Sequence, residues 1–453
     1  MAKITIIGAG GYVFPFRLIG DLLSYPALRD STLTLMDIDA GRLERTAGAA
    51  RALVAHHGFP TVVESTTDRR AALAGADHVI ITFQVGGVDA FRDDVEIPRR
   101  YGVDQTVGDT LGPGGVFRFL RSVLAYREIA ADLAELAPHA QVINYANPMA
   151  MATWYLNALG ARTVGLCHSV QGTSRMLARA LDVPYEEVRF RAGGINHQSW
   201  FTEFRRGDED LYPRLREVMT QRHLDGPAGS GLAADHGDHS GADRGESVYE
   251  GGNERVRTAI MDAFGYFHTE SSHHASEYLP YFRKTPQMVR EFIPERWDYY
   301  EICRNHDEDG QTAKLLESLK SELAPSVEYG AAIVHSIETG QQSVIYGNVP
   351  NTGLITNLPE GCCVEVACLV DGNGVQPTVF GALPPQCAAI NRTGINVQEL
   401  AVTAALTGRR EHVYHAVMAD PLTSALLTLD QITAMVDELF LAHKAYLPPE
   451  LQA

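Results

Sequence analysis

Positive charge, a cysteine framework and long apolar runs are what this 453-residue chain lacks. Its 38 lysines and arginines stand against 56 aspartates and glutamates, a formal charge of −18. That balance argues against nucleic acid or an anionic membrane as partner and leaves small neutral substrates or a cation. The six cysteines (167, 303, 362, 363, 368 and 387) follow no regular spacing, which fits a reduced, cytoplasmic protein better than a disulfide scaffold. No stretch of about 18 apolar residues offers a membrane span. The first residues enter a β-branched run without a signal-peptide pattern, and no internal repeat is visible. What is present is ordinary for a globular protein: 45% hydrophobic and 21% charged residues, in a chain long enough for two or three domains.

The beginning of the chain carries the first motif. Ile4–Ile7 reads as a short strand, followed by Gly8-Ala-Gly10-Gly11-Tyr12-Val13. Glycines in such a turn let the backbone approach a pyrophosphate at a helix N-terminus, although valine stands where the third glycine of the fingerprint belongs. A second strand, Thr32–Met36, ends in Asp37-Ile-Asp39, where an acid accepts the ribose hydroxyls of NAD. A third strand, His78–Phe83, follows the helical stretch Arg69–Ala76. This order predicts a Rossmann-type unit that binds NAD through Gly8, Gly10, Gly11, Asp37 and Asp39. The plain alternative is a glycine-rich turn in some other α/β protein.

Further on, Gln105–Gly115 holds so many glycines around Pro113 that it reads as a loop, with a helix from Val116 to Leu136 after it. Asp109 is the one carboxylate in that loop and either caps a turn or serves the site. A fourth strand, Gln141–Ile143, runs into Asn144-Tyr-Ala-Asn147-Pro148, whose asparagines can bind a sugar hydroxyl or cap the next helix. A short strand, Thr163–Leu166, then delivers Cys167 and His168 at its C-terminal end, the edge at which open α/β sheets bind ligands. Thirty positions after Cys167, Asn196-His197 offers a second donor. Cys167 with His197 suits a divalent transition ion with positions left open to substrate. A lone cysteine is otherwise a small buried hydrophobe.

These strings together resemble glycoside hydrolase family 4: Gly8-Ala-Gly10, Met36–Asp39, the Gln105–Gly115 loop, Asn144–Met149, Gly165–Ser169 and Gly194–His197. Within that family, Cys167–Gly172, Thr269-Glu-Ser-Ser272 with Glu277-Tyr278, Ser343–Asn348, Gly361–Asp371 and Val413–Met418 look most like the bacterial melibiose-hydrolysing α-galactosidases. Glycosidases of that family depend on NAD and stand apart from the two-carboxylate hydrolases. The resemblance implies transient oxidation of the sugar at C3 by NAD, removal of the C2 proton, elimination at C1, water addition and return of the hydride. It implies Mn2+, or another divalent transition metal, on Cys167 and His197 to polarise the C3 oxygen. His168 protonates the leaving oxygen or orients the loop; relatives elsewhere in the family carry an acid there. For the C2 base the segment Ser271–Tyr281 offers His273, His274, Glu277 and Tyr278, with His274 first by ordinary pKa and Tyr278 second. Asp109 would tune that base, and Arg92, Asn147 and Arg283 would contact substrate.

The expected architecture is α/β, with an N-terminal Rossmann-type parallel sheet over residues 1–195 and an α+β part over 196–453. The second part would complete the metal site, bind substrate and build a homodimer or homotetramer, the last from resemblance alone. Helices are expected at Pro213–His223, Glu254–Phe264, Glu308–Leu323, Asn396–Thr407 and Leu427–Ala442. Strands are expected at Ser343–Tyr346 and Cys362–Leu369, with a hairpin turn at Asn373-Gly374. The Gly/Ala/Asp/His-rich tract from Gly226 to Gly252 reads as a surface loop rather than a metal site. The activity expected is an α-galactosidase acting on a small carbohydrate. The scaffold also serves α-galacturonidases and α-glucosidases. A hydroxy-acid dehydrogenase or a non-catalytic NAD sensor would not need Cys167 and His197 together.

Overall fold

The computed structural model describes residues 1–11, 13–225, 254–294, 297–305 and 310–452. The whole 226–252 tract and the start of the helix expected at 308 lie outside them. Its strands are β1 (Lys3–Ile7), β2 (Thr32–Met36), β3 (Val62–Thr66), β4 (His78–Ile81), β5 (Gln141–Asn144), β6 (Thr163–Gly165), β7 (Val188–Ile195), β8 (Gln198–Arg206), β9 (Glu209–Asp210), β10 (Phe267–His268), β11 (Ser343–Pro350), β12 (Cys363–Asp371) and β13 (Gly374–Pro377). One sheet holds them in the order β10-β8-β7-β12-β11-β6-β5-β4-β1-β2-β3, with β13 on β12 and β9 on β8.

From β3 to β6 the strands are parallel, in the 3-2-1-4-5-6 order of a Rossmann fold. Side chains alternate between the two faces, so Ile6, Ile80 and Ile143 enter one core while Ile7, Val79, Ile81 and Val142 enter the other. Both faces are covered by helices, which is why the inner strands β1, β4 and β5 are mostly buried and apolar, whereas the edge strand β3 is not. Beyond β6 the sheet continues antiparallel through β11, β12, β7, β8 and β10. The seam is narrow, with Gly165 opposite Asn348 and Gly194 opposite Glu365. A Cβ on Gly165 would run into Met149 Sδ and Thr153 Oγ1 of the helix Met149–Ala158, so the packing of that helix on β6 requires glycine. The division expected at 195/196 falls in the β7–β8 hairpin, where Ile195 pairs with Gln198. The two parts share one sheet there, without an intervening linker.

Several elements differ from expectation for identifiable reasons. The strand expected third is β4, because β3 forms the sheet edge on β2 and its half-exposed Val-Val-Glu-Ser-Thr has no apolar run to mark it. The helix expected from Val116 begins at Gly112. Its early glycines serve close packing: a Cβ on Gly114 would sit 2.6 Å from the Asp94 carbonyl, and one on Gly115 2.7 Å from Thr110. The charged segment after Gly87 is a helix, Gly87–Arg100, and the helix ending at Thr407 starts at Pro385. The β12–β13 hairpin turns at the expected place, with Asp371 opposite Gly374. Among the described residues, no helix is long and apolar enough to cross a membrane.

Candidate active site

Three chain segments converge at the C-terminal edge of the sheet. The chain leaving β6 delivers Cys167, the β7–β8 turn delivers His197, and the chain leaving β10 delivers Glu270. Cys167 Sγ lies 3.2 Å from His197 Nε2 and 3.9 Å from Glu270 Oε2, and His197 Nε2 lies 3.5 Å from Glu270 Oε2. Donors bound at roughly 2.0–2.3 Å around one tetrahedral ion would be spaced roughly 3.3–3.8 Å apart, so this set fits a divalent metal. A second group, Asp109, His197 and His274, has its ligand atoms within 4.8 Å of one another. His197 (φ 62°) and Glu270 (φ 67°) are two of the three described non-glycine residues with left-handed backbone. Such conformations cost on the order of 1–3 kcal/mol each and collect at functional sites.

Hydrogen-bond polarity sets the tautomer of His197. Thr110 Oγ1 gives its one proton to Asp109 Oδ1 at 2.7 Å, so it accepts from His197 Nδ1 at 3.0 Å. The Nε2 lone pair therefore faces Cys167 and Glu270. Burial pushes the His197 pKa down to about 4, against the pull of Glu270, which keeps the imidazole neutral. Burial also raises the Cys167 thiol well above its ordinary value, and the Glu270 and Glu365 charges add to this. Burial acts to raise the Glu270 pKa as well, but the charges of His274, His197 and His168 outweigh it and bring it to about 2.

Around this group stand the acid–base candidates. His168, its side chain 41% exposed, places Nδ1 3.3 Å from Glu328 Oε1. Burial lowers its pKa, but the hydrogen bond and charge of Glu328 prevail and the net shift is upward. His274 Nδ1 sits 2.8 Å from Ser271 Oγ and 3.5 Å from Glu270 Oε1. The Tyr278 hydroxyl is 3.2 Å from His197 Nδ1, on the side away from Cys167, and burial with Asp109 raises its pKa well above 10. Asn147 Nδ2 donates to Asp109 Oδ2 at 2.9 Å.

The glycine turn lies at the other side of the same edge. Gly8 (φ 91°) passes so close to the β4 side that a Cβ would sit 2.6 Å from the Phe83 nitrogen. A Cβ on Gly10 would meet the Asp37 carboxylate at 2.7 Å, and Gly10 N donates to Asp37 Oδ2 at 2.9 Å. Gly11 lies against Pro15, where a Cβ would approach to 3.0 Å, and the helix Phe14–Ser24 starts shortly after it. A cradle of bare backbone beside an acid at the end of β2 fits a dinucleotide. Asp39 caps the helix Ala40–His57 through Gly41 N and Arg42 N, so its carboxylate has a structural task.

Residues 3–183 match the family model described as family 4 glycosyl hydrolase, and residues 192–423 match that of the family 4 glycosyl hydrolase C-terminal domain. The chain belongs to family 4 of the glycosyl hydrolases. Among family 4 relatives, the α-galactosidase of Bacillus subtilis (strain 168) is 38% identical, over 99% of this chain and 99% of that one. The α-galactosidase of Rhizobium meliloti (strain 1021) is 34% identical, over 98% of this chain and 89% of that one. More distant relatives include α-galacturonidases and an α-glucosidase. The crystal structure of a Bacillus subtilis protein described as a glucosidase matches with a TM-score of 0.82 and 29% identity, over 97% of this chain and 99% of that one. A 6-phospho-α-glucosidase from gut microorganisms, solved with NAD and Mn2+, shares the fold at a TM-score of 0.77 and 21% identity, over 99% of each chain.

Some residues singled out in this family 4 chain lie elsewhere. Arg92 is on the helix Gly87–Arg100, 45% exposed and 3.7 Å from both Asp89 and Asp93, so its charge is largely solvated. Arg283 is buried and spends its donors on Ser276 Oγ, the Asp104 carbonyl and Thr106 Oγ1, so it braces the loop instead of facing a ligand. Glu277 accepts from the backbone nitrogens of Thr106, Val107 and Gly108, which makes it the anchor of that loop and unsuited to proton removal. His273 stacks on Trp297 at 4.2 Å. Glu270, Glu328 and Thr110 were not singled out from the sequence. Glu270 stands 103 positions from Cys167, and only its place in the Thr269–Ser272 string hinted at it.

Proposed function

We propose that this chain hydrolyses α-galactosides by transient oxidation at C3, with NAD in the glycine cradle and Mn2+ or a similar ion on Cys167, His197 and Glu270. The observation that carries the reading is the thiol–imidazole–carboxylate set at the open edge of a dinucleotide-type sheet. Likeness to two α-galactosidases supports the sugar. Bound in the glycine cradle, NAD would supply hydride uptake and return at C3, and a divalent ion held by Cys167, His197 and Glu270 would supply polarisation of the C3 oxygen. Thr110 and Tyr278 hold His197 in the tautomer whose Nε2 can bind a metal. His274, with Ser271 on its Nδ1, takes the C2 proton; Tyr278 is the weaker candidate because its hydroxyl serves His197. His168, paired with Glu328, gives a proton to the departing oxygen. Asn147, oriented by Asp109, contacts the sugar. A homodimer or homotetramer in the cytoplasm is part of the same reading, and sedimentation of the purified protein checks its assembly.

The test is isotopic. Product released in D2O should carry deuterium at C2, and deuterium at C2 or C3 of the glycoside should slow turnover when chemistry limits the rate. Product unlabelled at C2, together with activity in a preparation freed of nicotinamide, would sink the mechanism. An α-galacturonide is the second reading. Arg118 favours it, because its Nη1 is buried without a hydrogen-bond partner among the described residues, while its Nε reaches the Asn147 carbonyl at 3.2 Å. A panel of nitrophenyl α-glycosides that includes the galacturonide decides between the two.

A further inference from the structure

Glu365 is fully buried in β12 and belongs to none of the groups described above. Its Oε2 accepts from Ser199 Oγ at 2.6 Å, and its Oε1 accepts from Asn348 Nδ2 at 3.2 Å. Each partner reaches on to a strand end that carries a candidate metal ligand. Asn348 Nδ2 also lies 3.4 Å from the Gly165 carbonyl, two residues before Cys167. Ser199 Oγ lies 3.2 Å from the Ile195 carbonyl, two residues before His197, and Ser199 itself is two residues after His197. Ser199 N donates to Thr269 Oγ1 at 3.0 Å, and Thr269 N donates back to the Ser199 carbonyl at 2.8 Å, directly before Glu270. The seam strands β11 and β12 are joined to β6 and β7 at these same positions, through Gly165 and Gly194.

We propose that Glu365 is a positioning residue that fixes the spacing of Cys167, His197 and Glu270 by tying their three strand ends to one carboxyl group. This rests on the reading of those three residues as the metal site. A buried carboxyl is a costly way to join neutral strands when an apolar side chain would fill the space. Its presence is explained if spacing, rather than packing, is what the position supplies. Burial, with Glu270 adding, raises the Glu365 pKa to about 7, so the neutral acid is available near neutrality. A glutamine keeps an oxygen toward Asn348 and can keep the second tie by donating its amide to Ser199 Oγ, once the Ser199 proton, which Glu365 Oε2 now accepts, turns to the Ile195 carbonyl.

The experiment measures Mn2+ binding to the purified full chain by the electron paramagnetic resonance of free and bound ion, and NAD+ binding by calorimetry. Glu365→Gln should keep Mn2+ affinity within about threefold of the unsubstituted protein. Glu365→Ala should weaken Mn2+ at least tenfold, the scale seen when groups behind metal ligands are removed, while NAD+ affinity stays unchanged. If Glu365→Ala does not fold, Ser199→Ala and Asn348→Ala decide, since each cuts one tie, and each should weaken Mn2+ alone. Unchanged Mn2+ affinity in the alanine variants overturns the proposal, as does a parallel loss of NAD+ binding. If the unsubstituted protein itself binds no Mn2+, the metal reading falls and takes this proposal with it.

Discussion

Cys167 and Glu270 differ in how a chain can announce them. Cys167 follows a short apolar strand at the edge where such sheets bind ligands, and with His197 thirty positions on it reads as a ligand candidate. Glu270, two positions past β10 and itself in the left-handed conformation (φ 67°), reaches the same spot through the fold, 3.5 Å from His197 Nε2. Glu270→Gln should fold and bind NAD+ normally yet weaken Mn2+ at least tenfold; unchanged Mn2+ affinity would make Glu270 a bystander. Cys167→Ser should fold and lose both Mn2+ binding and activity, and full activity without added metal would refute its place in the site. At the other end of the edge, Asp37 already accepts from Gly10 N and Asp39 N. A 2′-phosphate beside it would meet like charge, so NAD+ should bind at least tenfold more tightly than NADP+. Asp37→Ala should narrow that ratio, and equal affinities for the two cofactors in the unsubstituted protein would remove Asp37 from the ribose site.

At the scale of elements, the loop from Gln105 to Leu111 connects function with stability. Thr110 and Asp109 hold His197 from one side of it, while Glu277 gathers three of its backbone nitrogens and packs against Arg283 at 3.5 Å. Removing that buried acceptor strips the amide donors of their partner and takes the carboxylate away from a buried guanidinium. Glu277→Ala should therefore cost about 3–5 kcal/mol, read as a lower denaturant midpoint. A midpoint equal to that of the unsubstituted protein would mean that the loop holds itself. The glycines of this stretch were legible as a break in regular structure. That Gly112, Gly114 and Gly115 belong to a helix was not. Their close neighbours are the Gln105 side chain and the Asp94, Gly108 and Thr110 backbone, which no local pattern reports.

Across the whole molecule, the continuous sheet predicts one cooperative unit. Residues 1–195 expressed alone would expose the β6 edge that β11 covers and leave β7 without β8. That fragment should lack a cooperative thermal transition, whereas the full chain should show a single main one by calorimetry. A fragment melting as sharply as the full protein would refute this. Stability should also fall with rising pH through one buried acid. Burial raises the Asp420 pKa from 3.8 to about 6, against its hydrogen bonds from Thr423. The folded state holds that proton more tightly than the unfolded state, so the contribution is fully present below about pH 4 and lost as pH rises through about 6. It amounts to a few kcal/mol at about 1.4 kcal/mol per unit. Asp420→Asn should flatten the melting-temperature profile between those pH values, and an unchanged slope would exclude Asp420 as its source.

By itself the sequence determined what local periodicity and residue chemistry encode. The parallel strands other than β3, the glycine cradle with its acid, and the candidates Cys167 and His197 each follow from patterns within a few neighbouring positions. Tertiary structure alone decided what depends on residues far apart in the chain. It brought Glu270 and Thr110 to His197 and Glu328 to His168, it set Arg92 beside Asp89 and Asp93, and it set Arg283 on Ser276, Asp104 and Thr106. The physical reason is that a strand's identity is written in its own alternation, while its register against a distant strand is set by the seam at Gly165 and Gly194.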